Sequence, residues 1–174
     1  MRTFDVKGEG KSHTADVWRG VLRRCTPKYQ ARFPHYEGVT VCKEWLVYSK
    51  FKAWYESWNL CDVDIDKDII TIGNKEYSPH NCCLVSPRLN ALMVNKPNTS
   101  GISLTESGKY HARISVNGVR NTLGTFNTKQ EAHKAYTVAK IVAIEQWLPH
   151  VSYDIRIQQG LQNHVKALKL TLSS

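Results

Sequence analysis

Four aspartates alternate with other residues over Asp62–Asp68, and carboxylates at this spacing could bind a cation. A β-strand would place them on one face, because successive side chains of a strand point to opposite faces. Stacked like charges raise each other's pKa, so a purely structural sheet disfavours the pattern. A solvated acidic strand and a calcium loop are the alternatives. A calcium loop of the EF-hand type would need a glycine where Lys67 stands and a closing glutamate.

The residues that follow predict the rest of a small cation-binding module. A long loop runs to Asn81, and Cys82–Ser86 has the composition of a second short strand. Serine followed by Pro87 is typical of a helix start, with serine at the N-cap and proline at the first helical position. The helix would carry Asn90 about one turn from its beginning. Strand, loop, strand and helix would then surround the carboxylates.

This order of elements resembles the ββα-metal nucleases (His-Me finger or HNH), particularly the homing endonucleases of phages. Asn81 and Asn90 reproduce the family's nine-residue spacing between the loop asparagine and the metal ligand on the helix. The resemblance implies that Asp66 and Asn90 hold one Mg²⁺ or Mn²⁺ ion and that Asn81 fixes the loop. Lys67 stands where the family has its general-base histidine.

That lysine changes the expected chemistry. Phosphodiester hydrolysis needs a hard cation with oxygen ligands and a base that titrates near neutral pH. Lysine is a poor base near neutral pH, since its reference pKa is about 10.4. Lys67 would instead hold the scissile phosphate or stabilise the transition state. The base would be His80 or a metal-bound hydroxide. A degenerate, inactive site is the alternative.

The charge of the chain favours a polyanionic partner. Its 174 residues include 24 Lys and Arg against 15 Asp and Glu, a net charge of +9. Acidic residues outnumber basic ones between 61 and 92, whereas the stretches on either side are basic. An acidic centre within basic flanks suits a metal site presented to a nucleic-acid backbone. Membrane surfaces also attract cations, but no apolar run approaches the roughly 18 residues of a membrane span.

The cysteines and the N-terminus predict the compartment. No apolar targeting segment opens the sequence, and the five cysteines are an odd number without paired spacing. Reduced thiols in a cytoplasm fit this usage better than disulfides, and a phage-encoded protein would lie in the host's cytoplasm. Small core residues or a structural zinc would explain the cysteines. We expect a monomer that does not bind membranes.

Two helices are predicted before the acidic stretch. Thr14 would cap the first, Pro27 would end it, and a basic, aromatic loop would follow. Its arginines would meet phosphate or form a solvated face. The second helix, from Glu44, carries aromatic residues at helical spacing, which favours a core role over base stacking. Parts of this region resemble the head of phage HNH proteins, so the expected nuclease domain covers residues 1–93.

A second domain is expected after a linker over residues 94–100, which has a Pro, Asn and Ser composition. Residues 101–126 predict a three-stranded antiparallel meander, in which Asn117-Gly118 is a strong hairpin signal. Thr128 and Glu131 form a capping box that opens a helix with small residues facing the sheet. The tail, residues 149–174, would hold a final helix. The predicted fold class is α+β.

Alternation leaves one face of this sheet polar, and such a face can contact phosphates and base edges. An ordinary solvated face is the alternative. Residues 101–148 resemble the APETALA2/ethylene-response-factor DNA-binding domain, through Gly108–Ile114, Leu123–Phe126 and Glu131–Tyr136. That family reads the major groove with its sheet. The resemblance implies that six residues contact double-stranded DNA: Ser103, Lys109, Arg113, Ser115, Arg120 and Thr122.

The sequence therefore predicts a metal-dependent DNA endonuclease or nickase of the phage homing type. Its C-terminal sheet would dock the duplex, and its acidic module would cut a strand. The competing hypotheses are a catalytically degenerate DNA-binding protein and an RNA- or ribonucleoprotein-binding phage factor.

Overall fold

The computed structural model describes residues 2–94 and 101–173, so most of the predicted linker lies outside the described residues. The chain divides into two compact units, Met1–Leu84 and Val85–Ser174. Residues 85–93, which we expected to complete a nuclease domain, are therefore grouped with the second unit. Helices and short strands in both units confirm the α+β class. None of the helices within the described ranges is long and apolar enough to cross a membrane.

The first unit combines helices with very short strands. Its helices are α1 (His13–Arg24), α2 (Pro27–Arg32) and α3 (Tyr48–Ser57), with 3₁₀ turns at Pro34–Tyr36 and Glu44–Leu46. Its strands are β1 (Thr40–Val41), β2 (Asp64–Asp66), β3 (Glu76–Tyr77) and β4 (Cys83–Val85), whose last residue lies past the division. β1 pairs in parallel with β3, and β2 pairs with β4.

The starts of α1 and α2 differ from the prediction. Ser12, not Thr14, caps α1, and its hydroxyl accepts a hydrogen bond from the N–H of Ala15 at 3.2 Å. Pro27 begins a helix where we expected a loop. The Thr26 side chain caps that helix, and proline at the first helical position loses no hydrogen bond there. The basic, aromatic segment is therefore ordered as α2 and a 3₁₀ turn.

The core of the first unit lies between α1, α3 and the strands. Phe51 and Tyr55 of α3 are buried and Trp54 is partly buried, which confirms the core role predicted for the aromatics. The Trp18 indole donates to the carbonyl of Trp45 at 2.7 Å, so its buried N–H is satisfied. Apolar residues of β2 and β4 complete this core and anchor the loop between those strands.

The second unit contains the predicted meander and its helix. Its elements are α4 (Pro87–Met93), β5 (Ile102–Leu104), β6 (Tyr110–Val116), β7 (Val119–Phe126), α5 (Lys129–Glu145), a 3₁₀ turn at Leu148–Val151 and α6 (Ile155–Ser173). The three strands form one antiparallel sheet in the order β5-β6-β7. The predicted capping box is present, with Glu131 N–H donating to the Thr128 hydroxyl at 3.2 Å and Thr128 N–H donating to the Glu131 carboxylate at 3.0 Å.

Helix α5 packs on one face of the sheet and α6 packs on α5. Ala112 and Ile114 of β6 are buried on the covered face. At the start of β5, the carbonyl of Gly101 accepts from the N–H of Arg113 at 2.7 Å. A Cβ on Gly101 would lie 1.9 Å from the Arg113 carbonyl oxygen, and φ is +65°. Only glycine fits this position without moving the backbone of β6.

Candidate functional site

Strand β2 ends at Asp66, and the turn after the strand orients its carboxylate. Oδ1 accepts hydrogen bonds from the backbone N–H groups of Asp68 and Ile69, both at 2.7 Å. Oδ2 accepts none from any residue in the described ranges. Burial raises the pKa of Asp66, and the two N–H groups oppose that rise. One oxygen is thus fixed by the backbone, and the other makes no hydrogen bond within the described residues.

The predicted strand with four carboxylates on one face is wrong. β2 contains only Asp64 and Asp66 of the four aspartates. Asp62 precedes the strand with φ of +51°, a left-handed conformation that breaks the extended backbone. Asp68 lies in the turn after the strand. The Asp66 side chain takes the N–H groups that a longer strand would need for pairing, so the strand ends there.

Lys67 is buried, with 7% of its surface exposed. Its ammonium donates to Asp68 Oδ1 at 2.7 Å, Asp68 Oδ2 at 2.9 Å and the Asn74 carbonyl at 2.8 Å. An ammonium has only three N–H groups, so these three contacts use all of its hydrogen-bond donors. The predicted contact between Lys67 and a phosphate would therefore require breaking hydrogen bonds inside the loop.

Asn74 organises the same loop, a role that the sequence did not predict. Its amide nitrogen donates to the carbonyls of Lys67 at 2.9 Å and Glu76 at 2.8 Å. Its amide oxygen accepts from the N–H of Glu76 at 3.1 Å. The preceding Gly73 has φ of +74°. The Gly-Asn pair was a turn signal, but the partners of the amide depend on how the loop folds back.

His80 and Asn81 lie at the far end of this loop. The N–H of Asn81 donates to the Ser78 carbonyl at 3.2 Å, and its side-chain amide donates to Glu76 Oε2 at 3.2 Å. These bonds tie the loop's end to β3, consistent with the loop-fixing role implied for Asn81. The His80 side chain is exposed. Asp66, Lys67, His80 and Asn81 thus belong to one loop system of the first unit.

Asn90 lies on α4 in the second unit. The predicted helix start is confirmed, with Ser86 accepting from the N–H of Leu89 at 3.2 Å and Pro87 at the first helical position. The N–H of Asn90 donates to the Ser86 carbonyl at 3.0 Å, and the side chain is half-buried. The two predicted metal ligands, Asp66 and Asn90, are therefore assigned to different units.

No cluster of three or more His, Cys, Asp or Glu side chains that could hold a metal occurs among the residues described. The five cysteines, all within the described residues, are outside any disulfide, with Cys82 and Cys83 buried. Burial raises the pKa of Cys25 to about 11 and also raises the pKa of Cys82. Neutral, buried thiols behave as small apolar core residues.

The strand register places the predicted DNA-contacting residues of the sheet on one face. Directly opposite residues share a face, and Arg113 lies opposite Thr122, Ser115 opposite Arg120, and Ser103 opposite His111. Most of these side chains are exposed or half-buried, as is Lys109 beside the face. A bulge between Ala112 and Arg113 adds a residue to β7, so Thr125 joins this face opposite His111.

His111 orients the central arginine of that face. The Arg113 Nε–H donates to His111 Nδ1 at 3.0 Å, and Arg113 Nη2 lies 2.6 Å from the same nitrogen. These contacts involve the Nε and Nη2 groups of Arg113, whereas its Nη1 group does not contact His111. The sequence did not predict this positioning role for His111, since only the structure shows the contact.

Compared with known proteins, the chain matches no family model, and no curated protein or solved structure is significantly similar to it. The likeness to HNH nucleases and to the APETALA2 domain therefore rests on the quoted motifs and the order of elements.

Proposed function

We propose that the chain is a metal-dependent DNA endonuclease of the phage homing type that hydrolyses phosphodiester bonds while docked on duplex DNA. The observation that carries this proposal is the end of β2, where two backbone N–H groups orient the Asp66 carboxylate and leave Oδ2 to a ligand. The succession of β2, a braced loop, β4 and α4 supports the same interpretation.

The donor set fits a hard divalent cation. Asp66 offers a carboxylate oxygen, the resemblance to the HNH nucleases implies the Asn90 amide oxygen as the second ligand, and Mg²⁺ and Mn²⁺ prefer oxygen ligands of this kind. Mg²⁺ sites commonly use only one or two protein ligands, with water and substrate phosphate in the other positions. A bound cation supplies charge neutralisation at the phosphate under attack.

The loop residues take distinct roles in this proposal. His80 is our candidate general base, since its exposed imidazole can reach a substrate and histidine exchanges protons near neutral pH. Asn81 holds the end of the loop through Glu76. Lys67 braces the loop through Asp68 and Asn74, so we assign it a positioning role in place of the predicted phosphate contact.

The uncovered sheet face is the proposed docking surface for the duplex. A β-sheet face can enter the major groove, where cationic and hydroxyl side chains meet phosphates and base edges. The face presents two arginines, and Lys109 lies beside it. The proposed contacts are the six predicted from the sequence, Ser103, Lys109, Arg113, Ser115, Arg120 and Thr122, with Thr125 added by the register.

A supercoiled-plasmid nicking assay tests the enzyme proposal. We expect Mg²⁺-dependent relaxation by the wild type and at least a roughly 100-fold loss in an Asp66→Asn, Asn90→Ala double variant. Asp64→Asn is the matched control, because it removes a carboxylate from the same strand without touching the proposed ligands. Equal nicking by the wild type and the double variant would refute the nuclease.

A degenerate DNA- or RNA-binding protein is the second candidate, and the buried Lys67 favours it. A lysine locked into the loop stands where the resembling nucleases carry their base. This candidate predicts duplex or RNA binding that is independent of Mg²⁺, with no nicking under any metal. Competition between labelled duplex DNA and hairpin RNA would then identify the partner.

A further inference from the structure

The first unit carries a cationic surface that the proposed function does not use. We define the basic aromatic surface as Arg23, Lys28, Tyr29, Arg32 and Phe33, at the end of α1 and along α2. Its three cations are exposed. None of them forms an ion pair with another residue of the described ranges, unlike Arg19, which pairs with Asp16, and Lys169, which pairs with Glu145.

Aromatic rings orient the two arginines of this surface. Arg23 Cζ lies 5.4 Å from the centroid of the Tyr29 ring, and Arg32 Cζ lies 5.4 Å from that of Phe33. The two rings lie 4.6 Å apart and are half-buried. A guanidinium over a ring keeps its N–H edges free for a planar anion and loses little side-chain freedom when one binds.

Contacts within the first unit connect this surface to the loop of Asp66. Arg24 Cζ lies 5.9 Å from the centroid of the Tyr36 ring, and the Arg24 side chain also interacts electrostatically with Tyr77 of β3. Burial raises the pKa of Tyr36, and the nearby Asp68 carboxylate adds to the rise. Tyr77 and Asp68 belong to the two ends of the loop that holds Asp66. Tyr36 also contacts the Tyr29 ring, with 5.4 Å between the ring centroids, so Tyr36 connects the basic aromatic surface to the loop of Asp66.

The arrangement of the rings favours a backbone ligand over unpaired bases. Bases stack on free ring faces, but Tyr29 contacts Arg23, Phe33 and Tyr36, and Phe33 also contacts Arg32. The rings thus support the arginines and leave little open area for a base. Free guanidinium edges match phosphate oxygens, which duplex DNA presents at regular spacing.

We propose that the basic aromatic surface binds the sugar–phosphate backbone of duplex DNA beside the loop of Asp66, as a second contact in addition to the sheet face. The choice of duplex DNA rests on the proposed function. The contact itself requires no catalysis.

The test compares two variants that lose the same charge. The surface variant is Arg23→Gln, Lys28→Gln, Arg32→Gln, and the control is Lys7→Gln, Lys11→Gln, Lys50→Gln, which removes three exposed lysines from the same unit. Fluorescence anisotropy with a labelled duplex is measured across a salt series. We expect the surface variant to bind about tenfold or more weakly at 0.1 M salt, with a salt slope flatter by about 2–3. The control should keep the wild-type slope to within about 1.

Equal losses in the two variants would overturn the proposal, because net charge alone would then explain the binding. A larger loss for a single-stranded oligonucleotide than for the duplex would also overturn it. Melting curves exclude misfolding, and Arg23→Lys, Arg32→Lys should retain most of the salt slope. The nicking assay is read separately. If the protein never nicks DNA but the surface variant still binds the duplex more weakly than the control does, the proposed backbone contact stands. If the protein nicks DNA but the surface variant binds the duplex as tightly as the wild type does, the contact is refuted.

Discussion

Replacing Asp66 by asparagine separates cation binding from loop folding. An asparagine Oδ1 can accept the same two N–H groups, those of Asp68 and Ile69, so the turn after β2 should survive. Asp66→Ala leaves both N–H groups without their acceptor. Partly buried donors left in this way cost about 1–3 kcal/mol, which lowers the melting temperature by roughly 2–12 °C for a chain of this size.

The raised pKa of Asp66 determines whether Asp66→Asn stabilises or destabilises the folded protein in the absence of metal. Because burial raises the pKa of Asp66 in the folded state, its stabilising contribution is complete below the unfolded value of about 3.9 and is lost as the pH rises through the folded value. At pH 7 the ionised carboxylate therefore costs stability. We expect Asp66→Asn without metal to melt at the wild-type temperature or above it.

With a divalent cation present, we expect the wild type to melt at a higher temperature than Asp66→Asn. A cation that binds only the folded protein stabilises it by about 2.7 kcal/mol at a concentration 100 times its Kd. For the whole chain this is a rise of roughly 5–11 °C in melting temperature. Thermal melts with Mg²⁺ or Mn²⁺ should show the rise in the wild type and in Asp64→Asn but not in Asp66→Asn. An equal rise in Asp66→Asn would refute the assignment of Asp66 as a ligand.

Three further predictions concern the second unit. Burial lowers the pKa of Lys140 in the folded protein. The free energy of unfolding of the wild type should therefore rise with pH between that lowered pKa and the unfolded value of about 10.4. In calorimetry at pH 7, Lys140→Met should be more stable than the wild type by on the order of 1 kcal/mol. Gly101→Ala should lower the melting temperature clearly more than Gly108→Ala, since both carry positive φ but only the first would clash with the Arg113 carbonyl. The backbone penalty common to both is about 1–3 kcal/mol. His111→Phe removes the acceptor that orients Arg113 and should weaken duplex binding about fivefold in anisotropy, with an unchanged melt; unchanged affinity would show that the contact does not matter.

Sequence reasoning predicted the second unit well because its signals are local. Asn117 and Gly118 have φ of +53° and +83°, the positive values that the hairpin signal required. The capping box of Thr128 depends on residues three positions apart, and strand alternation depends on neighbours two positions apart. The bulge at Ala112/Arg113 was missed, although Gly124 within β7 was a signal for it.

The first unit was harder to predict because its decisive contacts join residues whose types are ambiguous. Pro27 stops a helix in one context and begins one in another, and the Thr26 cap decided the outcome. The alternating aspartates suggested a strand, but a side chain that competes for backbone N–H groups ended it after Asp66. The bracing of the loop by Lys67 and Asn74 required the loop to close on itself, which no local pattern encodes.

The position of Lys67 links the chemistry to the architecture of the loop. A histidine at the end of β2 could serve as a base only if its ring faced the substrate, but the structure turns this side chain inward to Asp68 and Asn74. An inward position suits a cation, because it neutralises Asp68 next to the carboxylate of Asp66. Under the proposed function, proton transfer would then fall to a group outside this position, and His80 is an exposed histidine of the same loop. Activity lost in His80→Ala but kept in Lys67→Met would therefore be the pattern of a nuclease whose base has moved along the loop.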